Sequence, residues 1–395
     1  MMGKPVVLGA CRTAGGKFGG SLKSFKAHEL GGFAVAEAVK RSGISPDQID
    51  DAILGNAWQA NGGMNPARIA MMNAGLPVTI PAVSVNQRCG TGLQTVMILA
   101  DRIRLGDEKA GVAGGMESCS NVPYMLERAR WGFRMGEAKI LDALHADGFL
   151  CPFTGMLMGE TGDILAKEFS ISRREQDEYA AYSHRKAIEA IKAGVFSEEI
   201  VPVILKGKGE EITAFEKDEI PREDTTIEKL EKLPPAFRKD GTVTAGNSCA
   251  LCDAASALVL ADEEWAKAEG YMPMAEIISY SSVGLDPLFM GLGPVYAVPK
   301  ALDAAGLSME DIDLVELNEA FASQALAVQR KMPFPWEKCN IYGGAIALGH
   351  PSGATGAKLL TTAAYALKRE NKELGLVTLC VGGGQGVAMV IRRIG

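Results

Sequence analysis

The chain has 395 residues, a formal net charge of −7, and 47% hydrophobic and 23% charged residues. That length is too great for one simple core, and the acidic balance argues against a nucleic-acid partner, which usually meets a basic face. No apolar run approaches the roughly 18–20 residues of a membrane span, so no membrane partner is expected.

The opening MMGKPVVLGAC superficially resembles a lipoprotein cleavage site at Leu8-Gly9-Ala10-Cys11. Its apolar stretch covers only Val6 to Ala10, short of the roughly 7–15 residues of a signal peptide. A buried first strand and a cytoplasmic location are the expectation. HELGGFAVAEAVKRSG follows as a helix ending at Gly43, then DAILGNAW and PAVSVNQRC as strands. In GLQTVMILADRIRLG, the residues Leu93, Val96, Met97, Ala100 and Ile103 recur at helical spacing, and Gly106 closes the helix. GVAGGMES supplies a further strand and turn. Strands alternating with helices predict a parallel α/β sheet covered on both faces.

Residues 120–248 are richer in charge and irregular segments, and read as an inserted loop domain between an N-terminal half (1–119, with 249–270 returning to it) and a C-terminal half (271–395). Within the insert, ISRREQDEYAAYSHRKAIEAIKAG is helical, and the run from KGKGEE to EKLPP reads as surface. Strand–helix alternation then resumes to the closing pair GLVTLC and GVAMVIRR. The halves mirror each other, with a strand leading to a cysteine in each: VSVNQRC and LVTLC.

Eight cysteines in a chain this long do not read as a disulfide framework. Cys249-x-x-Cys252 lacks the second ligand pair of a structural zinc site, so no metal is expected. Cys89 stands between a strand and the start of a helix, where free N–H groups and the helix dipole favour a thiolate able to attack a carbonyl. A buried, inert thiol is the competing reading. His350 ends the glycine-rich GGAIALGH and precedes another helix; of four histidines it alone has glycines that let a ligand approach, while His28 and His184 read as surface residues and His145 falls in the insert. It could move a proton near neutral pH or sit in a structural turn. Cys380, before Gly382-Gly383-Gly384, could carry a proton beside an oxyanion-binding backbone, or the glycines could simply turn the closing hairpin. Asn318 could cap a helix or hold a water.

Together these segments resemble the thiolase family over nearly the whole chain. NQRCGTGLQ, GGMES, PPAFRKDGTVTAGN, ELNEAFA, GGAIALGHPSGATGAK and CVGGGQG occur in the family's order. The resemblance implies two similar βαβ-type halves forming a layered αβαβα core with an inserted loop domain that binds coenzyme A. It implies acyl transfer between CoA thioesters through an acyl-Cys89 intermediate, with acetyl-CoA and CoA as substrates and no permanently bound cofactor. His350 would activate Cys89, Cys380 would serve as acid/base, Asn318 would fix a water in one oxyanion hole, and the N–H groups of Cys89 and Gly382 would form the other. Arg222 matches an arginine near the CoA adenine. A homodimer or homotetramer is implied as well.

The chain also departs from the family pattern. Leu157-Met158-Gly159 stands where many members read His-Met-Gly near the pantetheine, and Cys249 stands where a serine is usual. Ala250, Cys252 and Ala254 replace Gly, Asn and Gly, and Tyr342 replaces an asparagine. These positions bear on acyl specificity: acetoacetyl is the first expectation, and longer, branched or diacid 3-oxoacyl groups are the rival. A ketoacyl- or hydroxymethylglutaryl-type synthase and a non-catalytic scaffold are the alternatives of other classes.

Overall fold

The computed structural model describes residues 2–206 and 212–395. Its main strands are β1 (Pro5–Thr13), β2 (Asp51–Gly55), β3 (Ala82–Val85), β4 (Ala110–Ser118), β5 (Cys252–Asp262), β6 (Ala275–Gly284), β7 (Leu314–Leu317), β8 (Leu374–Val381) and β9 (Gln385–Arg393). The helices that matter here are α1 (Ala27–Ser42), α2 (Pro66–Asn73), α3 (Thr91–Leu105), α4 (Met158–Glu168), α5 (Arg173–Lys192), α6 (Gly293–Ala305), α7 (Ala322–Lys331) and α8 (Thr355–Arg369).

The strand order is β7-β8-β9-β6-β1-β5-β4-β2-β3, and it contains a duplication. In the first half β3, β2 and β4 run parallel, and β4, β5 and β1 are antiparallel neighbours. In the second half β7 and β8 run parallel, and β8, β9 and β6 are antiparallel neighbours. The place of β3 is taken by a single parallel bridge from Cys339 to Val315. The sheet is therefore mixed, where strand–helix alternation alone predicts parallel pairing. The antiparallel strands arise because β4 connects to β5 through the long insert, and β8 to β9 through a tight hairpin.

The halves meet where β1 pairs with β6 at only two positions, Val6–Glu276 and Val7–Ala275. Helices α3 and α8 pack against each other and against strands of both halves, while α1 and α6 cover the outer faces. The middle of the molecule is thus a helical layer between the two halves of the sheet. Leu93, Val96, Leu99 and Ile103 of α3 and Leu360 and Leu367 of α8 are almost wholly buried in one core. Each such side chain contributes roughly 1.5–3 kcal/mol. The two helices approach through glycines: a Cβ on Gly356 would lie 2.3 Å from the Leu93 nitrogen, and one on Gly92 2.7 Å from that of Ala357.

This crossing changes the internal alignment expected from the cysteines. By strand order and direction, β4 corresponds to β8, and the turn entering α3 corresponds to the turn entering α8. The counterpart of the Cys89 turn is therefore the His350 turn, and Cys380 comes from a different step of the repeat.

Within the insert, α5 packs on α7 and α4 on α7, placing both against the C-terminal half. A buried ion cluster ties the insert to β1: Arg12 forks onto both Asp218 oxygens at 2.7 and 2.9 Å and also donates to Glu199. Residues 207–211 of the charged run expected at the surface lie outside the described residues, and further along Asp218 and Ile220 are buried. His184, expected at the surface, is buried too. It lies on the inward face of α5, and its Nδ1 accepts the Arg222 backbone N–H at 3.3 Å. Burial first, and the Arg222 charge second, push its pKa down to about 4.

Candidate active site

A cavity of about 260 Å³ lies where the turns entering α3 and α8 meet the end of β8. Cys89, His350, Cys380 and Gly382 all line it, as do Met158 and Cys249, and most of the remaining wall is apolar. A larger groove of about 1310 Å³ runs along the outer face of α1, but it is open to solvent and holds none of these groups. Chemistry belongs to the smaller space.

Each group is placed by backbone. Cys89 occupies a short 3-10 turn (Arg88–Gly90) that leads directly into α3. The preceding Gln87 N–H donates to Thr91 Oγ1 at 2.7 Å, and the Arg88 N–H to Asn86 Oδ1 at 3.0 Å. Gly90 lets this turn press on β8, since a Cβ there would meet Val381 at 2.9 Å. Gly383 and Gly384 both have φ of +87°, the left-handed geometry that closes the β8–β9 hairpin. The glycines therefore do form a tight turn, and its first residue, Gly382, faces the cavity.

The Cys89 thiol is the acidic one. Burial pushes it up, but the His350 imidazole, the Arg88 guanidinium and the Gly382 N–H outweigh burial and bring it down from 9.0 to about 7. Cys380 goes the other way: burial, and then the neighbouring sulfurs of Cys89 and Cys249, hold it well above the usual range. Cys249 is pushed up to about 12, again chiefly by burial. At neutral pH one sulfur is substantially thiolate and two keep their protons.

The His350 tautomer follows from its neighbours. Thr355 Oγ1 donates its single proton to the Pro351 carbonyl at 2.9 Å, so it must accept from His350 Nδ1–H at 2.6 Å. Nε2 has no hydrogen-bond partner among the described residues. The imidazole lowers the Cys89 thiol pKa through its charge first and a hydrogen-bonding contribution second, and both groups line the same cavity. Buried Lys358 donates to the carbonyls of Leu348 and Gly349 at 2.7 and 3.3 Å, fixing the chain that carries the imidazole.

Asn318 is fully buried, and neither its Oδ1 nor its Nδ2 has a partner among the described residues. It caps nothing: α7 begins beyond it, after Phe321. A buried amide needs partners, and water or a ligand oxygen could supply them. Arg222 does not line the site cavity. It borders a second one of about 150 Å³, with His184, and the two cavities share Ser248 and Ala250. Leu157 sits at the start of α4 and lines neither, whereas Met158 does face the sulfurs. The two cysteines of the C-x-x-C diverge: Cys249 faces the cavity, and Cys252 is buried against Gly15 and Gly349. Among the described residues no group of His, Cys, Asp and Glu is arranged to hold a metal ion.

Two carboxylates that sequence reasoning passed over hold the turns together. Glu117, in the GGMES segment, accepts four N–H groups: Asn56 Nδ2 at 2.6 Å, Ala57 at 3.0 Å, Trp58 at 3.3 Å and Gly353 at 2.8 Å. Burial raises its pKa to about 7, against the pull of those donors and of Arg88. Glu319 accepts from Tyr179, Ser183, Asn340 and the Ile346 N–H, joining α5 to the turn before His350. The signal was an acidic residue inside each motif, but its partners are distant in sequence. Glu117→Gln presents an NH₂ to N–H donors and leaves some of them unpaired. Denaturant unfolding should show a loss of about 1–3 kcal/mol. An unchanged midpoint would contradict this account of Glu117.

Comparison with known proteins agrees with the geometry. The family profile "Thiolase, N-terminal domain" matches residues 5–264, and "Thiolase, C-terminal domain" matches 271–393. The chain belongs to the thiolase family. It is 48% identical to the acetyl-CoA acetyltransferase of Escherichia coli (strain K12) over 390 residues, which cover 98% of this chain and 99% of that protein. It is 45% identical to a probable acetyl-CoA acyltransferase of Staphylococcus aureus (strain COL), over 99% of this chain and 100% of that one. The crystal structure of the Bacillus anthracis acetyl-CoA acetyltransferase superposes with a TM-score of 0.97 at 43% identity, over 100% of this chain and 99% of that one. The thiolase fold expected from the motifs, with its layered αβαβα core, is the fold observed.

Proposed function

We propose that this thiolase is an acetyl-CoA C-acetyltransferase, making or cleaving acetoacetyl-CoA through an acyl-Cys89 intermediate. The observation that carries the reading is two thiols of opposite protonation state facing one cavity, with the His350 imidazole beside the ionised one. In thiolysis, Cys89 thiolate attacks the C3 carbonyl and the C2–C3 bond breaks. The electron pair passes to C2 of departing acetyl-CoA, where the Cys380 thiol delivers its proton. Free CoA then attacks acetyl-Cys89; His350 Nε2 takes the CoA proton, and Cys89 leaves as thiolate. In each step the oxyanion would meet preorganised donors: the N–H groups of Cys89 and Gly382, or a water held by Asn318. One such donor is typically worth 10²–10³ in rate.

The insert, residues 120–248, would hold coenzyme A, with Arg222 toward the adenine and Met158 and Cys249 along the pantetheine arm. The shared wall of the two cavities at Ser248 and Ala250 supports that path. A homodimer or homotetramer is in keeping with the exposed Trp131, Phe133 and Met135 in the turn between Tyr124–Met125 and Leu141–Asp142. No described helix is long and apolar enough to cross a membrane, and a cytoplasmic location fits the composition. The test is thiolysis of acetoacetyl-CoA by CoA, with mass analysis of the Cys89 peptide. Turnover with an added acetyl group is expected; no acylation over hours would end the reading.

A further inference from the structure

One cation lines the site cavity without an acidic partner. Arg88 precedes the nucleophile, is half-buried, and has a left-handed backbone with φ of +49°. Asn86 stabilises that conformation by accepting the Arg88 N–H and by donating to the Ala57 carbonyl at 3.2 Å. The guanidinium lies 4.3 Å above the Trp58 ring, and its Nη1 donates to the Ala57 carbonyl at 3.0 Å. Trp58 is held in place: its Nε1–H donates to the Ala143 carbonyl at 3.1 Å, Phe149 packs on it with ring centroids 5.5 Å apart and the planes tilted by 58°, and Gly148 abuts its ring. Arg88 forms no ion pair among the described residues; the nearby Glu117, on which its charge acts, is engaged by N–H donors instead. Nε and Nη2 have no acceptor among the described residues.

A clamped guanidinium at the edge of an apolar cavity is an anion receptor. The Cys89 thiolate and Glu117 already feel its charge, but its Nε and Nη2 donors have no acceptor among the described residues, and that edge matches the two oxygens of a carboxylate. Arg88 and Cys89 line the same cavity, so an anionic end of an acyl group carried on that sulfur has the guanidinium as its counterpart there. We propose that Arg88 is a specificity-determining residue that selects acyl groups bearing a terminal carboxylate, of which succinyl, the group that 3-oxoadipyl-CoA leaves on Cys89, is the case tested below. The inference rests on the thiolase reading above and extends its acyl range from acetyl to dicarboxylic 3-oxoacyl thioesters.

The test compares 3-oxoadipyl-CoA with 3-oxohexanoyl-CoA, which has the same carbon count and no charge, in CoA-dependent thiolysis and in single-turnover acylation of Cys89. The natural protein should favour the dicarboxylic substrate in kcat/KM by about 10- to 100-fold, the range of a charge-assisted pair. Arg88 also lowers the thiol pKa, so Arg88→Leu should slow every substrate; the informative quantity is the ratio between the two, which should fall to one or below. Arg88→Lys keeps the charge but not the fork and should fall between. A ratio near one in the natural protein overturns the proposal, and that comparison needs no variant. A ratio unmoved by Arg88→Leu overturns it as well. If acetoacetyl-CoA also fails to acylate Cys89, the thiolase reading itself has failed; if only the carboxylate preference is missing, that reading stands alone.

Discussion

Cys380→Ala should still take up an acetyl group on Cys89, while its rate of making or breaking the carbon–carbon bond falls by about 10²–10⁴, the usual contribution of a positioned acid/base. Cys89→Ala should take up none. The asymmetry follows from ionisation: Cys89, near 7, supplies the nucleophile, and Cys380, held well above the thiol range by burial and two sulfur neighbours, supplies the proton. Intact-protein mass spectrometry after mixing with acetyl-CoA, alongside acetoacetyl-CoA thiolysis, separates the two roles. Equal acylation by both variants would remove the assignment. Removing a buried thiol leaves a small void, so a modest loss of stability should accompany Cys380→Ala, too small to mimic the kinetic loss.

His350→Asn should move the pH dependence of Cys89 alkylation. A thiol is reactive above its pKa, so in the natural protein the rate rises through about pH 7. Without the imidazole, the leading opposition to burial is gone, and the inflection moves upward toward or beyond the ordinary 9.0. At pH 7 the thiolate fraction would fall from about half to about one per cent, a loss of roughly 50-fold in alkylation rate. Turnover should fall further, because proton transfer to and from CoA also loses its carrier. Iodoacetamide kinetics from pH 5.5 to 9.5 measure the shift. An inflection that stays near 7 would assign the activation to Arg88 and the Gly382 N–H instead.

Much of this site was legible because its chemistry lies in contiguous segments. Cys89, His350 and Cys380 each stand in a glycine-bearing run at an element boundary, and local pattern finds such boundaries well. Glu117 and Glu319 were not legible as organisers, because a carboxylate's partners are backbone N–H groups from elements that only the fold brings together. His184 was misread for a related reason. Its neighbours in sequence are polar, but α5 has one face against the turn before His350, and that face carries Ser183, His184 and Ala187. The internal repeat was visible, yet cysteines were the wrong landmark: strand direction and the Gly92–Gly356 approach pair the nucleophile's turn with the histidine's. Arg88 drew no notice because its significance depends on Trp58, thirty residues earlier in the chain.

The crossing of α3 and α8 also has a consequence for biogenesis. During synthesis, α3 leaves the ribosome with one apolar flank that only α8 can cover, and about 250 residues separate them. At roughly 5–20 residues per second, that flank waits on the order of 12–50 s for its mate. So long-range a contact closes late, and nascent chains should be the aggregation-prone species in overexpression. Slower growth temperature or a chaperone that shelters the first half should raise the soluble yield more than any surface substitution.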